Sequence, residues 1–140
     1  MLACAQMMLL MRSMYIELGL VTTFFLDMNM LDAWLCAIYR NYNVVPFHNF
    51  SHCFCVTQMT YAMIWGLNLT TLLEEIDLLT LLVSATCHDM DHPGFNNAFQ
   101  VSCCIVDVTS QHIRVVCARE VMTWMDGWLP DVTTRNLRTL

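Results

Sequence analysis

The span HDMDHPGFNN, residues 88–97, gathers two histidines, two aspartates, a proline and a glycine in a chain that is 57% hydrophobic and 13% charged. His48 and His52 stand four positions apart, a spacing that puts both imidazoles on one face of a helix. His88 and Asp89 add a nitrogen and an oxygen donor from the end of a second helix. If the four converge they make a metal site. A mixed histidine and carboxylate set suits Zn²⁺, and a carboxylate with a free oxygen can reach a neighbouring Mg²⁺ or Mn²⁺. Asp89 is the natural bridge. His92 lies one turn beyond His88, but Pro93 follows it, so its expected part is to orient a ligand or a bound water. An HxxxH pair alone is a weak signal. The HD pair is stronger, because burying it without a partner is costly and a metal is one of few ways to offset that cost. The blander alternative is a capped helix end with a solvated turn.

The elements that must carry these residues read as helices. Apolar residues recur at three- and four-residue spacing over 14–20 and 31–42, with Asp27, Asn29 and Asp32 between them as turn or cap residues. The first eleven residues read as a helix leading into the fold. Pro46 stops the second pattern. A further helix is expected over 48–67, with His48 and His52 in its opening turn and Met59, Tyr61, Met63 and Trp65 as packing residues. Thr71 with Glu74 suggests a capping box, and Asp77 a second start, ahead of the apolar run LLTLLVSATC. The length of that run and its helical neighbours favour a buried helix ending at His88. Pro93 and Gly94 then break the helix and turn the chain. Trp34, Met59, Met63 and Trp65 are read as core rather than as a cofactor box.

A soluble globular domain carries about 25% charged residues, so this composition predicts core material from a larger helical domain, with apolar faces exposed. The net charge is −6, with six arginines, no lysine and no basic run, which argues against nucleic acid or anionic lipid as partner. The start lacks the pattern of a secretory signal. The charge-free stretch over 41–73 is interrupted by Pro46, His48, Asn49, His52, Gln58 and Asn68, unlike a membrane-spanning helix. Eight cysteines occur without a paired CxxC arrangement, so Cys53, Cys55 and Cys87 are expected to be buried thiols of a cytoplasmic protein. Beyond residue 100 the charge balance changes, and a boundary is expected there.

The HNxxH word formed by His48, Asn49, Phe50, Ser51 and His52, followed by HDxxHPGxxN from His88 to Asn97, resembles the class I 3′,5′-cyclic nucleotide phosphodiesterases over roughly residues 10–100. MYIELGLV at 14–21, VVPFHNF at 44–50 and HCFCV at 52–56 resemble the type-nine, cyclic-GMP-specific subfamily, to which Phe47, Cys53 and Cys55 point. The resemblance implies an all-α fold, a truncated part of a helical catalytic domain of the HD-type metal phosphohydrolase kind. Residues 1–100 would be its N-terminal portion and 101–140 a divergent, unassigned tail. It implies hydrolysis of cyclic GMP to 5′-GMP at a two-metal centre with Zn²⁺ and Mg²⁺ (or Mn²⁺) as cofactors. By position it makes His48 the general acid and His52, His88 and Asp89 the metal ligands. His48, His52 and Asp89 would also meet the substrate, and His92 and Asn97 would support the site through hydrogen bonds. Homodimerisation is a family expectation. Asp107, Asp126 and Asp131 receive no role, because their surroundings do not resemble the family's continuation. The competing expectation is a catalytically inactive piece acting as a metal-binding or interaction module. A third is a helical module whose histidines only cap and pack.

Overall fold

A computed structural model of the chain describes residues 3–95. Five α-helices follow one another: α1 (Cys4–Glu17), the single turn α2 (Leu20–Thr23), α3 (Met28–Asn41), α4 (Phe50–Gly66) and α5 (Glu75–Cys87), with a 3₁₀ turn at Leu69–Thr71. No strand occurs among the described residues, so the all-α expectation holds. Asn97 and residues 101–140, with Asp107, Asp126 and Asp131, lie outside the described residues.

Each helix buries one stripe. Met7, Met11, Met14 and Tyr15 recur along α1, Leu31, Trp34, Leu35 and Ile38 along α3, and Leu78, Leu79, Leu82 and Thr86 along α5, the spacing that keeps one face of a helix inward. Helix α4 buries Phe50, Cys53, Phe54, Thr57 and Ile64. The stripes meet in one core. Helices α4 and α5 pack against each other in opposite directions, so the start of α4 lies beside the end of α5, where Cys53 meets Thr86. Tyr61 of α4 donates a hydrogen bond to Glu17 of α1, and Arg12 of α1 pairs with Asp32 of α3 at 3.0 Å.

Local chemistry sets the ends and moves several expected boundaries. The helix expected over 14–20 begins at Cys4 and ends at Glu17, because Gly19 takes a left-handed conformation at φ 75°, which glycine adopts without steric cost. The leading segment is thus helical, as read. The helix expected over 31–42 starts a turn earlier, since the Asp27 carboxylate accepts from the Asn29 and Met30 amides at 2.9 Å each. The Thr71–Glu74 capping box does not form. Thr71 donates to the Asn68 carbonyl, while the Glu74 N–H donates to the Asp77 carboxylate at 3.2 Å. Helix α5 ends at Cys87 and the chain turns through Asp91 at φ 58°. The helix therefore stops ahead of Pro93, not because of it.

Trp34 is core, but Met59, Met63 and Trp65 are exposed, and so is Cys55. These four lie away from the face of α4 that meets α1 and α5. Cys53 and Cys87 are buried thiols. No helix among the described residues is long and apolar enough to cross a membrane.

The two faces of the pair make opposite predictions. Leu82→Ala, at a position with no solvent exposure, should cost about 2–5 kcal/mol of stability. Met59→Ala, at 61% exposure, should change it by no more than about 0.5 kcal/mol. Urea denaturation of both variants checks the pair.

Candidate metal centre

The site forms where α4 starts and α5 stops. Asn49 caps α4: its Oδ1 accepts from the Ser51 and His52 amides at 3.0 and 3.2 Å, and its Nδ2 donates to the Val45 carbonyl at 2.9 Å. One side chain thus fixes both the first turn that carries His52 and the loop that carries His48. Because the cap begins the helix at Phe50, His48 sits before it. The expected sharing of one helical face by His48 and His52 is corrected. The two rings still approach edge to face, 5.7 Å between centroids, with Phe47 against both.

At the other end, carbonyls of the last turn of a helix lack partners within the helix, and here they organise the site. The Ala85 carbonyl contacts His88 Nδ1 at 2.8 Å. A carbonyl only accepts, so Nδ1 carries the proton and the lone pair of a neutral ring lies on Nε2. The Thr86 carbonyl accepts from the Tyr42 hydroxyl at 3.1 Å and from the Cys53 thiol at 3.2 Å. The Cys87 carbonyl accepts from the Met90 amide. Burial pushes the Cys53 thiol up to about 11 and raises the Tyr42 phenol above its usual range, so both remain protonated donors.

Three potential ligand atoms then crowd together. His88 Nε2 lies 3.1 Å and His52 Nε2 3.4 Å from Asp89 Oδ2, and the two imidazole nitrogens are 3.4 Å apart. With metal–ligand bonds of about 2.0–2.1 Å, neighbouring donors stand about 3.3–3.4 Å apart in a tetrahedron and about 2.9 Å apart at right angles. The observed triangle falls in that range. Without a proton or cation between them, the lone pair of His88 would face a carboxylate at contact distance, which is unfavourable. The side chain of Asp89 is 15% exposed, so water screens that repulsion only in part. The negative end of α5 points the same way, favouring positive charge.

His48 Nε2 stands further out, 4.0 Å from Asp89 Oδ2, and its ring stacks on His92 with 3.9 Å between centroids and 27° between planes. His48, Asp89 and His92 form a second group with potential ligand atoms within 4.8 Å of one another. An ion bonds an imidazole in the plane of its ring, so two near-parallel stacked rings are poorly placed to share one. His92 Nδ1 accepts from the Gly94 amide at 3.0 Å. Burial, then the neighbouring His48, hold its imidazole below the usual range, while Asp89 pulls the other way.

A latch from the end of α3 holds the turn after α5. The Asp91 amide donates to the Asn41 carbonyl at 2.9 Å, and Asn43 Nδ2 donates to the Asp91 carboxylate and the His92 carbonyl at 3.1 Å each. Gly94 adopts φ 83°, and a Cβ there would meet Val45 at 3.0 Å, so both backbone and space require glycine. The structure therefore brings together His48, His52, His88, Asp89 and His92. Asn41, Tyr42 and Asn43 were missed from sequence, because their partners lie almost fifty residues away. Asn49 could have been found, since asparagine directly before a helical pattern is a common cap.

Residues 47–105 match the 3′5′-cyclic nucleotide phosphodiesterase family. The chain is 50% identical over 93 residues to a high affinity cGMP-specific 3′,5′-cyclic phosphodiesterase 9A of Drosophila melanogaster, 66% of this chain and 6% of that protein. It is 45% identical over 97 residues to the Mus musculus protein of the same name, 69% of this chain and 18% of that protein. A dual 3′,5′-cyclic-AMP and -GMP phosphodiesterase 11A of Takifugu rubripes is 42% identical over 87 residues, 62% of this chain and 10% of that protein. Among solved structures, the phosphodiesterase domain of the RhoPDE fusion protein from the choanoflagellate Salpingoeca rosetta superposes with a TM-score of 0.70 at 25% identity, covering 99% of this chain and 44% of that one. The chain thus spans less than one fifth of the length of these curated relatives and under half of the solved domain.

The double use of Asn49 is testable. Asn49→Asp keeps the acceptor for α4 but loses the donor to Val45, and should cost about 1 kcal/mol. Asn49→Ala loses both functions and should cost more, about 2 kcal/mol. Far-UV circular dichroism with urea titration reads both.

Proposed function

We propose that this chain is the N-terminal portion of a class I 3′,5′-cyclic nucleotide phosphodiesterase catalytic domain and contributes the metal-binding and proton-donating half of a cyclic nucleotide hydrolase, a reading that the family match and the relatives support. The observation that carries the reading is the triangle of His52 Nε2, His88 Nε2 and Asp89 Oδ2, with sides of 3.1–3.4 Å. These three would hold Zn²⁺. Asp89 has a second carboxylate oxygen, which could reach Mg²⁺ or Mn²⁺. When bound, such cations neutralise a phosphodiester and lower the pKa of water.

The remaining residues have work that needs no ligand bond. His48 stands outside the triangle with its ring a third exposed, so its Nε2 can carry a proton to the departing 3′ oxygen of the substrate. Stacking on His92 and contact with Phe47 hold that ring in orientation. His92, neutral and tied to the Gly94 amide, keeps the turn closed around Asp89. Asn97 would add a further hydrogen bond. Cyclic GMP as substrate rests on the named specificity of the relatives at 45–50% identity. A cytoplasmic location is part of the same proposal.

The test has separable readings. The purified chain should take up one Zn²⁺ tightly, and His52→Ala, His88→Ala and Asp89→Ala should each weaken uptake by more than the roughly 10–100-fold typical of losing a hydrogen-bonded partner behind a ligand, because each removes a ligand itself. His48→Ala should keep the metal and lower cyclic GMP hydrolysis by about 10²–10⁴-fold. Equilibrium dialysis and a product assay with cyclic GMP and cyclic AMP read both. Metal uptake by folded protein without turnover would reject hydrolysis by this chain and leave a metal-binding module. Absence of uptake would reject the metal reading.

A further inference from the structure

We infer that Tyr42 is a positioning residue for the metal centre, its hydroxyl holding the backbone of Asp89 so that the carboxylate meets His52 and His88. The inference rests on the metal reading of Asp89. Tyr42 is the residue following α3, forty-seven positions before Asp89, and it is buried. Its hydroxyl makes two bonds of opposite sense. It donates to the Thr86 carbonyl at 3.1 Å and accepts from the Asp89 amide at 3.3 Å. Since a carbonyl only accepts and an amide only donates, the direction of both is fixed.

The arrangement explains how Asp89 leaves the helix in the right direction. In a continuing helix the Asp89 amide would bond the Ala85 carbonyl, but that carbonyl is engaged by His88 Nδ1. Tyr42 supplies the replacement acceptor, and in the same contact occupies the Thr86 carbonyl one turn below. The ring is held in turn by Phe50, 6.1 Å away edge to face at the first position of α4, two residues before His52. One side chain thus touches both helices that contribute ligands, and the following two-residue latch through Asn43 holds Asp91 and His92. Hydrogen-bonded partners behind metal ligands typically change metal affinity about 10–100-fold when removed.

Tyr42→Phe keeps the ring and deletes the two bonds. Tyr15→Phe is the control, since the Tyr15 hydroxyl also pairs with Thr86, through its side chain at 3.3 Å, but does not reach Asp89. Zinc titration should show Tyr42→Phe binding about 10–100-fold more weakly than wild type, with Tyr15→Phe within about threefold. In metal-free protein, amide hydrogen exchange at Asp89 should accelerate in Tyr42→Phe and stay unchanged in Tyr15→Phe. Wild-type affinity and wild-type Asp89 exchange in Tyr42→Phe would overturn the inference, as would equal weakening by both variants. Should Tyr42→Phe fail to fold, the wild type alone decides: an Asp89 amide that exchanges freely in folded protein removes the proposed bond. If wild type and Asp89→Ala bind zinc equally weakly, the metal reading itself is lost and the role of Tyr42 with it, whatever the exchange data give.

Discussion

The end of α5 governs the site. A helix leaves its last carbonyls without partners inside itself, and a buried carbonyl without a partner costs about 1–3 kcal/mol. Here two of them are satisfied by groups in and around the histidine and aspartate cluster: Ala85 by His88 Nδ1, Thr86 by Tyr42 and Cys53. Finishing the helix and building the site are therefore one act. The bond to Ala85 selects the imidazole tautomer that turns a lone pair toward Asp89, and the bonds to Thr86 bring the end of α3 and the start of α4 against the same turn.

The beginning of α4 answers with opposite polarity. Its first amides are capped by Asn49, so the positive end of one helix and the negative end of another face a cluster of four imidazoles and a carboxylate. Apolar packing along the buried stripes of α4 and α5 sets this apposition, and the polar groups refine it. Burial keeps Cys53 and Tyr42 protonated, which is what lets them act as donors to a carbonyl. A nearby thiol thereby serves the scaffold as a hydrogen-bond donor.

Much of this was legible in the sequence, and the exceptions have physical causes. Helical periodicity located the long helices, and the two histidine words located the groups that meet. The start of α4 was misjudged because the pattern of apolar residues does not say which polar residue caps it. Asn49 therefore displaced His48 from the helix without displacing it from the site. Met59, Met63 and Trp65 look like core by composition but lie on the outer face of α4, since the direction a helix turns toward its neighbours is decided by packing partners far along the chain. Tyr42 was invisible for the same reason: its role depends on two backbone groups of α5, and nothing in the residues around it encodes them.

X-ray absorption at the zinc edge of the metal-loaded chain tests the central claim most directly. With eight cysteines in the chain, thiolate is the obvious competing ligand. The arrangement of His52, His88 and Asp89 predicts a shell of nitrogen and oxygen at about 2.0–2.2 Å with two imidazoles, and no sulfur. A sulfur contribution at about 2.3 Å, or a shell without imidazole, would contradict it.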